Sequence, residues 1–244
     1  TRVYNNSINF FGPVTGGTSA SNSANLIITS TLAQGTEIRN NIFRNTQEFA
    51  ISGSNTYNVY AIAGIEFTAI NNNVYSGVGN ANTTYNVGFD GVARTSLAAW
   101  QSATGQDGSS FGVQPNFVSN TDLHLTANTN QCIDGGGAPL AQVTVDIDGQ
   151  ARNATTPDIG ADEFSNPDLN LSVSESSGPN NANDGVVCSG ATVTLTGAGG
   201  STYNWSTGFN GNPLVVNPVS TTTYTVTISQ SNGCTDVLST IITV

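Results

Sequence analysis

The sequence predicts an all-β chain: a solenoid of short strands over residues 1–165, then an antiparallel sandwich over 166–244. Three observations predict it. Charged residues make up only 9% of the chain, against roughly a quarter in an ordinary soluble domain. Solubility must therefore come from Asn, Ser, Thr and Gly, which suit turns and strand faces better than helices, while the abundant Val, Ile, Thr and Tyr favour strands. An Asn pair also recurs in one local setting in the first part of the chain, and the last part alternates apolar and polar residues.

The pair appears in Tyr4-Asn5-Asn6-Ser7-Ile8, Arg39-Asn40-Asn41-Ile42-Phe43 and Asn71-Asn72-Asn73-Val74-Tyr75, about 35 and then about 32 residues apart. Leu26-Ile27-Ile28, Phe49-Ala50-Ile51, Tyr57 to Ala61 and Ile65-Glu66-Phe67 read as further strands between them. A period of this size signals a solenoid. Each coil needs tight corners, and Asn tolerates the left-handed backbone such corners adopt. Stacked Asn side chains can also hydrogen-bond from coil to coil. The other reading is ordinary turns in an antiparallel protein; recurrence of the pair in one setting favours the solenoid.

From Thr83 to Phe164 the texture changes. Leu97-Ala98-Ala99-Trp100-Gln101 reads as a short helix. Pro115-Asn116-Phe117, Leu123-His124-Leu125, Asp134-Gly135-Gly136, Asp146-Ile147-Asp148-Gly149 with Arg152 nearby, and Pro157-Asp158-Ile159-Gly160-Ala161-Asp162-Glu163 follow in order. In that ordered set the chain resembles the C-terminal coils of secreted right-handed parallel β-helix proteins of Bacteroidota-type bacteria, of pectate-lyase-like fold. The resemblance covers about half the chain. It implies the C-terminal part of a parallel β-helix and its cap, exported to the cell surface by the type IX secretion route.

A polar stretch from Ser165 to Asn183 places a boundary near Ser165-Asn166-Pro167, with a loop over Asn180 to Asp184. Beyond it, Val193 and Leu195 share one strand face and Tyr203 and Trp205 another. Leu214 to Val216, Tyr224 to Ile228 and Val237 to Val244 bring the expectation to about seven strands, the spacing of a sandwich. Cys188 and Cys234 lie in this one segment and are expected to pair, which implies an oxidising exterior and stabilises by about 3–4 kcal/mol on a loop-entropy basis. Cys132 is then left over, as a buried small hydrophobe or the partner of a cysteine upstream. Cys188-Ser189-Gly190, Tyr203-Asn204-Trp205-Ser206, Thr222-Thr223-Tyr224-Thr225-Val226 and Gly233-Cys234 resemble the Ig-like or PKD-like repeats of large surface adhesins. The second cysteine departs from the antibody pattern, because Cys234 lies ten residues after Tyr224 rather than two. The fold class expected is therefore all-β: the end of a right-handed parallel β-helix plus an Ig-like antiparallel β-sandwich. The strand-like patterns at both termini read as a segment of a longer polypeptide.

Charge narrows the function. A net charge of −11 with Arg as the only strong cation argues against nucleic acid and anionic lipid as partners. No apolar run reaches the roughly 18 residues of a membrane span. Catalytic signals are sparse. His124 is the only His and would have to serve any Ser-His-Asp triad, yet between Leu123 and Leu125 in an alternating strand it reads as a structural or surface residue. Asp146-Ile147-Asp148-Gly149 resembles the start of a calcium loop, but Pro157 stands where the twelfth-position carboxylate belongs. Asp146, Asp148, Asp158 and Asp162 could still hold calcium together, with Glu163 beside them; the alternative is that they cap turns. An acidic-polysaccharide lyase would need an Arg base, from Arg39, Arg44 or Arg94, near Glu37, Glu48 or Glu66. A glycosidase would need clustered Asp, and Asp90 and Asp107 stand isolated. Tyr57, Tyr60, Tyr75 and Tyr85 could stack on sugars, or fill the core as strand aromatics usually do.

The function expected is an extracellular structural or adhesive segment of a large surface protein, without catalysis in this stretch and with no cofactor beyond a calcium ion. Its partners would be surface glycans or neighbouring modules of the same polypeptide. The alternatives are a β-helix lyase or glycoside hydrolase with its catalytic coils upstream, and a carbohydrate-binding accessory module.

Overall fold

A computed structural model describes residues 1–127, 129–165, 169–177 and 183–244. Strand takes 42% of the chain and helix 3%, so the class is all-β. The chain divides into two compact units, Thr1–Ser165 and Asn166–Val244. Asn166 and Pro167 of the expected boundary, and residues 180–182 of the expected loop, lie outside the described residues.

The first unit runs β1 (Arg2–Tyr4), β2 (Ser7–Val14), β3 (Asn22–Ile28), β4 (Thr36–Arg39), β5 (Ile42–Phe49), β6 (Ser54–Ala61), β7 (Phe67–Asn71), β8 (Val74–Gly77), β9 (Thr83–Asp90), β10 (Ala93–Arg94) and helix α1 (Leu97–Thr104). Each strand pairs in parallel with the one three places on. The result is three parallel sheets, β1-β4-β7, β2-β5-β8 and β3-β6-β9, with β10 antiparallel on the edge of the last. Two expected strands shift: Phe49 ends β5 and Phe67 begins β7, while Ala50-Ile51 lie in a bend and Ile65-Glu66 in irregular chain before β7.

The Asn pairs divide their work. The first member of each, Asn5, Asn40 and Asn72, sits at φ 51°, 57° and 55° and turns the corner between two strands. The second members stack. Asn41 Oδ1 accepts from Asn6 N (3.1 Å), Asn73 Oδ1 from Asn41 N (3.0 Å), and Ser110 Oγ from Asn73 N (2.9 Å). Asn41 and Asn73 are fully buried, so this ladder satisfies backbone groups that no water reaches.

Apolar residues form matching columns. Phe43 stacks on Tyr75, ring centroids 5.9 Å apart. Leu26, Val59 and Gly88 are in register across β3, β6 and β9. At Gly88 the missing side chain makes room for the indole of Trp100, whose Cε3 lies 2.3 Å from where a Cβ would stand. Helix α1 delivers that indole; Ser96 Oγ caps it through Ala99 N, and Gly105 ends it in the left-handed region at φ 66°.

After α1 the described chain is irregular, with isolated bridges at Val74–Phe111, Phe117–Leu125 and Val145–Ala151. A second cluster of Ile42, Val74, Leu125, Ile133 and Ile159 anchors this segment. The corner Asn residues hold it too: Asn40 Nδ2 donates to Ala138 O (2.7 Å) and Asn72 Nδ2 to Gly136 O (3.0 Å).

The second unit has six strands among its described residues: β11 (Asn170–Ser174), β12 (Val193–Ala198), β13 (Thr202–Trp205), β14 (Leu214–Val216), β15 (Thr222–Ser229) and β16 (Thr235–Ile242). They form two antiparallel sheets, β11-β12-β14 and β13-β15-β16. Val193, Leu195 and Leu214 of one sheet and Trp205, Tyr224, Val226 and Ile228 of the other belong to one core cluster.

The expected Cys188–Cys234 bridge is not formed. Cys188 is exposed with a free thiol, and the disulfide-bonded cysteines are Cys132 and Cys234. Cys234 is buried while Cys188 lies on the surface, so their place in one segment does not make them neighbours, and a bridge between them contributes no stability. A disulfide is consistent with an oxidising compartment. No helix among the described residues is long and apolar enough to cross a membrane.

Candidate functional site

The four Asp residues expected to hold calcium do not converge on one point. Asp146 is committed to turns: Oδ1 accepts from Asp148 N (3.0 Å) and Gln150 N (2.7 Å), and Oδ2 from Glu163 N (3.2 Å). Asp158 accepts from Gly135 N (2.6 Å) and Phe164 N (2.7 Å). The turn-capping alternative therefore describes Asp146 and Asp158, because each oxygen that would face an ion already faces an N–H.

Asp148 and Asp162 instead meet His124. Among the described residues these three form the one group of at least three His, Cys, Asp or Glu side chains close enough to share an ion, with candidate ligand atoms all within 4.8 Å of one another. His124 Nε2 lies 3.0 Å from Asp148 Oδ2, and Nδ1 lies 2.5 Å from Asp122 Oδ1. Asp162 is buried, its Oδ2 accepting from Leu125 N (2.8 Å). The expected strand around His124 is absent, since Asp122 and Ser119 turn the chain and only Leu125 makes a bridge. The Asp122 and Asp148 carboxylates hold the imidazolium, raising the His124 pKa, and that pairing lowers the pKa of Asp122.

Arg152 closes the same corner. It donates to Asp158 O (3.4 Å), Gly160 O (2.8 Å) and Ala161 O (2.8 Å) and pairs with Glu163 at 3.1 Å. Glu163 in turn accepts from Asn153 N and Asp158 N. The Pro157–Glu163 run is thus wrapped around one buried guanidinium. Neither Arg152 nor His124 stood out as a site residue in the sequence; the only signal was their closeness to Asp-rich turns.

Burial pushes the Asp158 carboxyl up to about 7, against the two backbone N–H bonds that favour its ionised form. The folded state then keeps a proton that the unfolded chain releases near 3.8. Stability from this group is present below that value and lost as pH rises through about 7. We expect the first unit to melt at a higher temperature at pH 5 than at pH 8, and Asp158→Asn to shrink that difference. Calorimetry of the full chain at both pH values measures it; an unchanged difference would assign the pH dependence elsewhere.

The arginines named as bases occupy three settings. Arg39 and Arg2 lie 4.0 and 3.9 Å from Glu37, whose carboxylate also accepts the Tyr4 hydroxyl. Arg94 forms a two-bond fork with Asp90 at 3.0 and 3.1 Å. Arg44 lies in a groove of about 420 Å³ beside Gln114, Asn116, Phe117 and Asn120. Its Nη1 donates to Asn9 Oδ1 (3.0 Å) and Asn120 Oδ1 (2.9 Å). With its amide oxygen towards Arg44, Gln114 accepts from Nε (2.8 Å) and Nη2 (3.2 Å). The guanidinium is thus held by neutral amides, and burial lowers its pKa. Glu48 lines an adjoining part of this groove and is exposed, whereas Glu66 lines a separate hollow with Asp90.

Asp107, read as isolated, is buried at the foot of the Asn ladder. It accepts from Trp100 Nε1 (2.7 Å), Tyr75 Oη (3.0 Å), Asn73 Nδ2 (3.3 Å) and Ser110 Oγ. Tyr57 and Tyr75 are core residues, and Tyr85 donates to Asn58 Oδ1 at 2.6 Å. Tyr60 is half-buried and stacks on Phe89, with centroids 4.5 Å apart and rings 4° from parallel. No protein-family model, curated protein or solved structure matches this chain.

Proposed function

We propose that the chain is a rigid extracellular spacer with an adhesive role in a large surface protein, built from the end of a right-handed parallel β-helix and an Ig-like sandwich. The observation that carries this reading is the ladder from Asn6 through Asn41 and Asn73 to Ser110. It ties the stacked strands by side chain and backbone together, so local opening must break several buried hydrogen bonds at once. A solenoid of this kind gives length and protease resistance without chemistry. The disulfide supports an oxidising exterior.

A carbohydrate-binding accessory module is the second reading. It is favoured by the half-buried Tyr60–Phe89 stack on the neighbouring strands β6 and β9, because flat ring pairs suit sugar faces. A lyase or glycoside hydrolase with catalytic coils upstream is the third. The full chain should be incubated with neutral and acidic polysaccharides and, separately, with thermolysin. The spacer reading expects no new reducing or unsaturated ends and an intact Thr1–Ser165 unit after hours. Released ends would transfer the chain to the enzymes, and rapid digestion of that unit would remove the rigid spacer.

A further inference from the structure

We propose that His124, Asp148 and Asp162 form a binding site for a zinc-class divalent cation on the first unit. One imidazole nitrogen and two carboxylates supply the mixed nitrogen and oxygen set that such ions accept, whereas calcium takes oxygen ligands throughout. The ligand set differs from the four-carboxylate calcium site, since it discards Asp146 and Asp158 and rests on His124.

Three features of the geometry carry it. The Asp122 carboxylate at 2.5 Å from Nδ1 fixes the ring from behind and keeps the proton on that nitrogen. This is the outer-shell arrangement that orients metal-bound histidines. Nε2 lies 3.0 Å from Asp148 Oδ2, with a carboxylate oxygen of Asp162 in the same cluster, and once the imidazolium gives up its second proton Nε2 faces Asp148 with a lone pair. A lone pair facing a carboxylate repels it, so a cation belongs between them: either a proton or a metal ion.

The ligands are also held in place. Asp162 is buried and tied to Leu125 N. Asp146 ties the Asp148 turn to the segment carrying Asp162, through Asp148 N and Glu163 N, and Ile147 N donates to Ala161 O (3.0 Å) across the same pair. Asp146 is therefore a positioning residue. Asp148 and His124 stay 47% and 44% exposed at their side chains, which leaves them an open path and room to close on an ion.

Charge favours occupancy. Three carboxylates, of Asp122, Asp148 and Asp162, surround one imidazole. The neighbouring cation, Arg152, is committed to Glu163 and to carbonyl oxygens. The bound ion would link the turns at residues 122–125, 146–149 and 161–163, a stretch with little sheet to hold it.

The test uses the full chain after chelator treatment, in a Cys188→Ser background, because the exposed thiol of Cys188 is itself a zinc ligand. Titration with ZnCl2 is followed by calorimetry and by melting, with CaCl2 in parallel and CoCl2 for its visible absorption. We expect one Zn2+ per chain, a melting rise of several degrees at saturation as for any ligand of the folded state, and at least tenfold weaker binding in His124→Ala. Asp148→Asn, at an exposed position, should weaken binding similarly while melting like the parent in chelator, which covers the case in which the His124 variant does not fold. Cobalt absorption should require His124. Equal binding of Zn2+ and Ca2+ that neither variant changes would overturn the proposal and leave a diffuse acidic surface; so would an absence of saturable Zn2+ binding, which would leave a proton as the cation between His124 and Asp148.

Discussion

Arg152→Ala is expected to lower the unfolding free energy of the Thr1–Ser165 unit by about 3–5 kcal/mol, the usual result of stripping one partner from a buried ion pair. The side chains of Arg152 and Glu163 are only 3% and 13% exposed. Without the guanidinium, the Glu163 carboxylate stays buried near Asp158 with no countercharge, and Gly160 O loses its short donor. Arg152→Lys keeps the charge but loses the planar fork that reaches several acceptors at once, so it should recover only part of the loss. Urea denaturation of the full chain measures the effect. Trp100 reports on the first unit if Trp205, the only other Trp, is replaced by Phe. A loss below about 1 kcal/mol would place Arg152 among ordinary surface charges.

Asp107→Ala should cost a similar amount, about 3–5 kcal/mol, because it strands two buried donors at about 1–3 kcal/mol each and removes an acceptor from two more. The donors are Trp100 Nε1 and the Tyr75 hydroxyl, on side chains 0% and 2% exposed. Burial raises the Asp107 pKa, and the four hydrogen bonds draw it back down. The carboxylate is thus costly to bury and held by its partners. Asp107→Asn keeps the volume and one acceptor, and should lose only about 1–2 kcal/mol. The double variant with Asn73→Ala should fall short of additivity, since the two side chains share a hydrogen bond at 3.3 Å. Additive losses in the same urea experiment would show that the ladder and the Asp107 cluster act independently.

Much of the first unit was legible in its Asn pairs. The recurring pair carries both corners and stacking, as an Asn backbone and side chain allow locally, while the structure alone shows that Asn5, Asn40 and Asn72 turn the corners and their neighbours stack. The short helix at Leu97 to Gln101 is also legible locally, and the structure adds its caps at Ser96 and Gly105. The strand at Leu123-His124-Leu125 was not. Alternation of apolar residues pointed to it, but the Asp122 carboxylate takes the backbone N–H of His124 and competes successfully with a strand ladder.

The candidate site was legible only in part. Asp148 and Asp162 were named, but so were Asp146 and Asp158, because all four look alike until their acceptors are assigned. His124 reads as structural or surface from its place between Leu123 and Leu125, and spacing gives no sign of the Asp148 carboxylate 24 residues away. The arginine bases likewise differ only in their surroundings, a carboxylate fork at Arg94 and neutral amides at Arg44.

The sequence by itself determined the all-β class, the corners and the period, since turn chemistry and alternation act between near neighbours. Only the tertiary structure decided which cysteine keeps a free thiol, which Asp faces solvent, and that Trp100 fills the space above Gly88. Those outcomes depend on segments that folding brings together, and spacing along the chain carries little information about them.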